Sequence, residues 1–187
     1  MYVANIQILG YDEQDGRMQV VLANGDRADF FDIPCSMYDD LIAAKSSIEY
    51  FNSTIWNKGF EHRTFWQSLD ALLKYLQDKF YFEPPVVTIT SRSPEDDTPL
   101  HFACVWGDLG AVELLLEAGA DPDIRGDLDC TPLDFAVSFG FVRCAARLLQ
   151  SGASPDAFNE LNTTPRKKAL ESGNPKMIAL FSNLPSP

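Results

Sequence analysis

Thr98-Pro99-Leu100-His101-Phe102-Ala103 returns as Thr131-Pro132-Leu133-Asp134-Phe135-Ala136, and again as Thr164-Pro165-Arg166-Lys167-Lys168-Ala169. Each copy begins 33 residues after the last. Gly107, Gly140 and Gly173 keep the same step, as do Gly119-Ala120 and Gly152-Ala153. Three independent marks in phase establish an internal repeat. Thr before Pro caps a helix, and Pro suits the first helical position because its missing N–H costs nothing there. The glycine eight residues after each Pro can turn left-handed and end the helix. A second helix follows in the first two copies, with Val112, Leu115 and Leu116, then Ala145, Leu148 and Leu149, at helical spacing. Gly119 and Gly152 close these, and a turn rich in Pro and Asp leads onward. One helix pair cannot bury its apolar side alone, so the copies must stack.

This pattern resembles the ankyrin repeat family over roughly residues 86–187. The resemblance implies that Thr and His of the TPLH element hydrogen-bond within and between repeats. His101 fits; Asp134 and Lys167 stand where that histidine would be, which predicts an incomplete network. Arg166-Lys167-Lys168 replaces apolar residues and predicts a cap with a wetted outer face. Val86 to Thr90 would form the turn before the first copy. A helix in Phe65–Phe80 is expected to cover the N-terminal end of the stack.

Upstream, Val3–Leu9, Arg17–Ala23 and Asp26–Asp32 read as strands, separated by Asp15-Gly16 and Asn24-Gly25, both favourable hairpin dipeptides. That predicts a three-stranded antiparallel meander. Pro34 opens an expected helix with Met37, Leu41 and Ala44 on one face, and a second short segment runs through Tyr50, Phe51 and Ile55. Such a sheet needs this cover. Gly10-Tyr11-Asp12, Gln19-Val20-Val21-Leu22, Asn24-Gly25, Phe30-Phe31-Asp32-Ile33-Pro34 and the stretch from Tyr38 to Phe51-Asn52 resemble the small KTSC domain family over about residues 5–56. Ile48 departs from it, where the family often has glycine after lysine. The resemblance implies a fold and no particular activity.

Between the modules, His62 to Phe80 carries Phe65, Leu69, Leu72, Leu73 and Leu76 at helical spacing, with Phe82-Glu83-Pro84-Pro85 as its stop. This reads as a bridging helix docked on both modules, with His62 at its start. The expected architecture is therefore α+β. Residues 1–60 form a small antiparallel three-stranded sheet with a helix, 61–85 a bridging helix and linker, and 86–187 an α-solenoid of three ankyrin repeats.

The chain has 187 residues, 15 basic and 27 acidic, for a net charge of −12. Residues 1–91 and 92–187 each sit at −6. Acidity of this kind disfavours nucleic acid, whose binding rests on Lys and Arg, and steers toward a basic partner; it also simply keeps a protein soluble. Cys35, Cys104, Cys130 and Cys144 show no CxxC pair and fit free thiols in a reducing compartment. No secretion signal or membrane-length apolar run is legible, so a cytoplasmic protein is expected.

Nothing in the sequence marks catalysis or a cofactor. No P-loop, G-x-G-x-x-G or G-x-S-x-G occurs. His101 and Cys104 form an H-x-x-C, but a zinc site needs a second pair. Cys35 lacks a marked basic partner and reads as a structural thiol. Asp121, Asp123, Asp127 and Asp129 lack the glycine and closing glutamate of an EF-hand; they suit turns and an acidic surface. The expectation is a binder, not an enzyme, and a monomer when free.

The ankyrin resemblance implies contacts through turn tips and the inner face of each first helix. On this chain the tips are Asp127, Leu128, Asp129 and Cys130, then Glu160, Leu161 and Thr163. The helix positions are Val105 and Trp106, Ser138 and Phe139, Glu171 and Ser172. Trp106 and Phe139 are equivalent and make aromatic anchors in an acidic rim, unless either ring packs on the bridging helix or the N-terminal module. A bacterial immunity or inhibitor protein that occludes a basic toxin is the leading reading. A scaffold or regulatory adaptor, with each module binding a different partner, is the alternative, and an enzyme or RNA-binding protein built on the N-terminal module is the least favoured.

Overall fold

The computed structural model describes residues 6–22, 25, 27–56, 58–79 and 87–185. The expectations on Val3, Ala23, Asn24, Asp26, Phe80, Phe82 to Pro85 and Val86 lie outside these residues. The chain divides into two compact units, Met1–Gln67 and Ser68–Pro187.

The first unit is built on a sheet of four antiparallel strands in sequential order, not three. They are β1 (Ile6–Asp12), β2 (Arg17–Leu22), β3 (Arg27–Phe30) and β4 (His62–Thr64). Met18, Phe30 and His62 lie in one cross-strand row, and Val20, Ala28 and Thr64 in another. All six are buried. Helix α1 (Cys35–Ala43) supplies Leu41, while α2 (Ser47–Tyr50) and a following π-helical turn, Phe51–Trp56, supply Phe51 and Ile55. Phe30 meets Phe51 edge-on at 5.3 Å and stacks on His62 at 5.2 Å. Tyr11 stacks on Tyr38 at 4.4 Å and donates its hydroxyl to the Ile33 carbonyl at 2.7 Å, fastening β1 to the start of the helical cover.

His62 thus belongs to a strand and not to the bridging helix. The open side of β3 explains why: its neighbours leave backbone groups that need partners. The Phe31 N–H donates to the Glu61 carbonyl at 3.0 Å, and the Phe65 N–H to the Arg27 carbonyl at 2.8 Å. Phe65 therefore lies outside the helix as well. The helix expected to bridge the modules, α3, begins at Leu69 and runs to Lys79, within the second unit, with the Ser68 hydroxyl accepting from the Ala71 N–H at 3.1 Å.

The second unit opens with α3, whose Leu72 and Leu76 are buried. Three helix pairs follow: α4 (Pro99–Trp106) with α5 (Leu109–Glu117), α6 (Pro132–Ser138) with α7 (Val142–Gln150), and α8 (Pro165–Glu171) with α9 (Pro175–Ser182). First helices pack on first helices and second on second, the stacking the 33-residue period predicts. Equivalent positions fill the core: Ala103, Ala136 and Ala169; Ala111, Cys144 and Met177; Leu115, Leu148 and Phe181. Gly107 ends α4 at φ 66, and a Cβ there would sit 2.7 Å from the Phe141 ring of the next copy. Only glycine serves both needs. Helix α3 packs on α5, and Tyr75 meets Trp106 edge-on at 6.0 Å, so it covers the N-terminal end of the stack.

Two expectations about the repeats change. Arg166, in the place of Leu100 and Leu133, is not wetted: it forks onto Asp156 at 2.7 and 2.9 Å and donates to the Pro185 carbonyl at 2.9 Å. Lys168 turns inward to the buried Asp134 carboxylate at 2.8 Å. Only Lys167 of the trio is exposed. The hydrogen-bond network between copies is also not broken by the loss of histidine. Asp134 accepts from the Thr131 N–H at 3.0 Å and the Thr131 hydroxyl at 3.1 Å, and reaches the third copy through Asn159 at 3.1 Å and Lys168.

Candidate protein-binding surface

Helical geometry decides which side chains of the first helices can meet a partner. On α4 the residues Leu100, His101, Ala103 and Cys104 are buried, and Phe102, Val105 and Trp106 retain access to solvent. Those three lie at i, i+3 and i+4, hence on one stripe. The same stripe reads Phe135, Ser138 and Phe139 on α6 and its C-cap, then Lys168, Glu171 and Ser172 on α8 and its C-cap. The stripe passes from aromatic and aliphatic to mixed, and then to charged. Phe102 and Phe135 were not among the sequence candidates, although the i, i+4 spacing to Trp106 and Phe139 carries the signal.

The two aromatic anchors are not equivalent in exposure. Trp106 is half-buried between Tyr75 and Phe102, the ring centroids lying 6.0 and 6.2 Å away. Burial, with Asp108 adding to it, pushes the Tyr75 phenol up to about 12, so this hydroxyl stays protonated in its apolar seat. Trp106 therefore packs on α3 and is not a fully free anchor. Phe139 is 54% exposed and stacks on Phe141 at 6.2 Å.

At the tips, Asp127, Leu128, Asp129, Glu160 and Leu161 are all exposed, whereas Cys130 is buried and Thr163 half-buried. Asp96, Asp129 and Asn162 occupy equivalent positions and all take positive φ, a conformation that short polar side chains tolerate. A ladder of arginines ties the tips together. Arg92 donates to the carbonyls of Asp96 and Arg125. Arg125, 33 residues on, donates to those of Asp129 at 2.8 Å and Phe158 at 2.6 Å. The third rung is Phe158 itself, 63% exposed. Phe158 was not among the sequence candidates, although phenylalanine stands where Arg92 and Arg125 stand in the other copies.

The polar groups with chemical interest are otherwise occupied. His101 is fully buried; the Thr98 N–H donates to Nδ1 at 3.1 Å and Nε2 lies 3.2 Å from the Cys130 carbonyl, so the neutral ring carries its proton on Nε2. Cys104 is fully buried, and burial pushes its thiol far up. Cys35 is exposed beside Asp39, and desolvation together with that carboxylate raises its pKa, the opposite of an activated thiolate. Asp121 and Asp123 cap turns: Asp121 accepts from the Asp123 N–H at 2.9 Å, and Asp123 accepts from the Ser154 N–H of the next copy at 2.8 Å. Among the described residues no helix is long and apolar enough to cross a membrane.

A stack of helix pairs presenting an open stripe and a row of hairpin tips defines a repeat protein of the interaction class. Comparison with family models gives the particulars. Residues 100–146 match the model for ankyrin repeats (many copies), and residues 4–60 match the model for the KTSC domain. The chain therefore joins a KTSC domain to ankyrin repeats, which are a protein–protein interaction module. No curated protein matches the chain.

Proposed function

We propose that this is a cytoplasmic binder, not an enzyme, which acts as an immunity or inhibitor protein by covering a basic toxin or effector with its repeat surface. The observation that carries the reading is Phe139, a large ring more than half exposed on the open stripe, with Asp127, Asp129, Glu160 and Glu171 supplying acidic groups on the same repeats. An accessible aromatic at an inner-face helix position is a suitable interface anchor, and an aromatic centre within an acidic rim suits a cationic target. Trp106, half-buried, is the lesser contributor. The free chain is taken to be a monomer.

The test is isolation of the complex from native cells, identification of the partner, and assay of its activity. A basic partner silenced at one chain per partner is the expected result. Phe139→Ala should weaken binding about tenfold, the loss typical of a truncated interface anchor. Binding unaffected by Phe139→Ala would remove the stripe from the interface. A partner that stays active while bound would favour the second reading, a scaffold or regulatory adaptor. That reading draws on the division into two compact units, each with its own core and so able to hold its own partner.

A further inference from the structure

Each junction between copies is made by one row on the first helix, and that row continues past the last junction. Between the first and second copies, His101 Nε2 lies 3.2 Å from the Cys130 carbonyl, and the Phe141 ring lies 2.7 Å from where a Cβ on Gly107 would be. Between the second and third, Asp134 meets Asn159, and the Asn174 amide would lie 3.9 Å from a Cβ on Gly140. Cys104 and Val137 stand between these contacts, three residues after His101 and Asp134, and both are buried. In the third copy the same row reads Lys167, Leu170 and Gly173. Lys167 is exposed and Leu170 is 44% exposed. Gly173 sits at φ 69, and a Cβ there would meet no described atom within 4 Å. On the second helices Val112 and Ala145 are buried, whereas Ile178 in their place is half-buried. A copy that ends a stack needs a polar outer face. This one turns polar at Lys167 and keeps Leu170 and Ile178 where the other copies bury their apolar residues.

We propose that Lys167, Leu170 and Gly173 form an open junction that receives a helix hairpin of a partner protein, one that sets an apolar side chain over Gly173 and Leu170 and a carboxylate against Lys167. The two filled junctions define the occupant. In both, the residue that precedes the incoming second helix, Phe141 or Asn174, settles on the glycine. The residue facing the head of the row is Gly126 opposite His101 and Asn159 opposite Asp134. A lysine at the head of the row calls for an acceptor, and a carboxylate makes the strongest bond to it. A second copy of this chain is a poor occupant. Helix α3 already covers the corresponding side of its first copy, and two open ends brought face to face would set Lys167 against Lys167. The inference goes beyond the function proposed above, since it concerns the end of the stack and a locally acidic segment, not the stripe of Phe139.

The experiment uses the full chain and three labelled synthetic peptides built on residues 122–153, the hairpin that fills the equivalent junction on the first copy. One carries Gly126→Asp, one Gly126→Lys, and one Gly126→Asp with Phe141→Ser. Fluorescence anisotropy should show the first peptide binding about tenfold tighter than either of the others. In the chain, Lys167→Glu should invert the order of the Asp and Lys peptides, and a glutamate there also suits the Thr164 cap, so the fold is kept. Leu170→Asp should weaken the first peptide about tenfold while leaving the thermal midpoint in place, because the side chain is already exposed. Equal binding of the Asp and Lys peptides, an order that Lys167→Glu fails to invert, or unchanged binding by Leu170→Asp would each overturn the junction. So would the absence of binding by all three peptides at about 1 mM. Phe139→Ala should bind the first peptide as the wild type does; a loss there would place the hairpin on the stripe and remove the junction alone. A dimer in light scattering that Leu170→Asp dissolves would also overturn it, by making a second copy the occupant.

Discussion

His101 shows how one side chain can link folding to acidity. It lies fully buried between Thr98 and the Cys130 carbonyl, and burial lowers its pKa from 6.5 to about 4. Protonation at Nδ1 would also turn a donor toward the Thr98 N–H. Because the folded value is the lower one, the unfolded chain takes up the proton first. The contribution of this residue is thus fully present above about pH 6.5 and is lost as pH falls toward 4. Integrated over that window it amounts to about 3 kcal/mol. Urea unfolding at a series of pH values should show the loss in the wild type, and His101→Gln, which cannot titrate, should show a flatter profile across the same window. Equal slopes in the two proteins would mean that the ring is already reachable by solvent when folded.

At the scale of elements, the two interfaces between copies solve one steric problem in two ways. Between the first and second copies the large imidazole of His101 faces Gly126, where an added Cβ would meet His101 Nε2 at 2.8 Å and Asp97 Oδ1 at 2.2 Å. Between the second and third the smaller Asp134 faces Asn159, the residue equivalent to Gly126, whose amide fills the space and donates to the carboxylate. Gly126→Ala should therefore destabilise the repeats by about 1–3 kcal/mol, the range for forcing atoms into a packed site. A urea midpoint that did not move would show that Asp97 can swing aside freely. The caps and the terminal glycines were legible because each lies within one copy, and the period because three copies repeat them in phase. Asn159 and Lys168 were not, since their distance from Asp134 along the chain acquires meaning only once the copies are stacked. β4 was hidden for a related reason. Three residues are too few to alternate visibly, and Phe65 happens to extend the apolar spacing of α3. Ser68, followed by Asp70 in the first turn, was the available mark of the true helix start.

For the whole molecule, charge is the property the sequence stated most directly, and its consequence is kinetic. Exposed like charges speed the approach of a basic partner and are screened by salt within about 10 Å at 0.1 M. Stopped-flow association with the native partner should slow about tenfold or more between 20 mM and 500 mM salt, while dissociation changes far less. An association rate indifferent to salt would count against a cationic target. Which surface the partner meets was only partly readable. Repeat position marked both rings as anchors, but the covering of Trp106 by Tyr75 depends on where α3 folds back, which no local pattern encodes.

The paired exchange of His101 and Gly126 for Asp134 and Asn159 makes the copies distinct in rank as well as in sequence. Shuffling them, as recombination between similar DNA segments would, sets an asparagine side chain against an imidazole at one junction and leaves a hole beside an aspartate at the other. The order of the copies is therefore written into their junctions, and an exchange would worsen the fit at both.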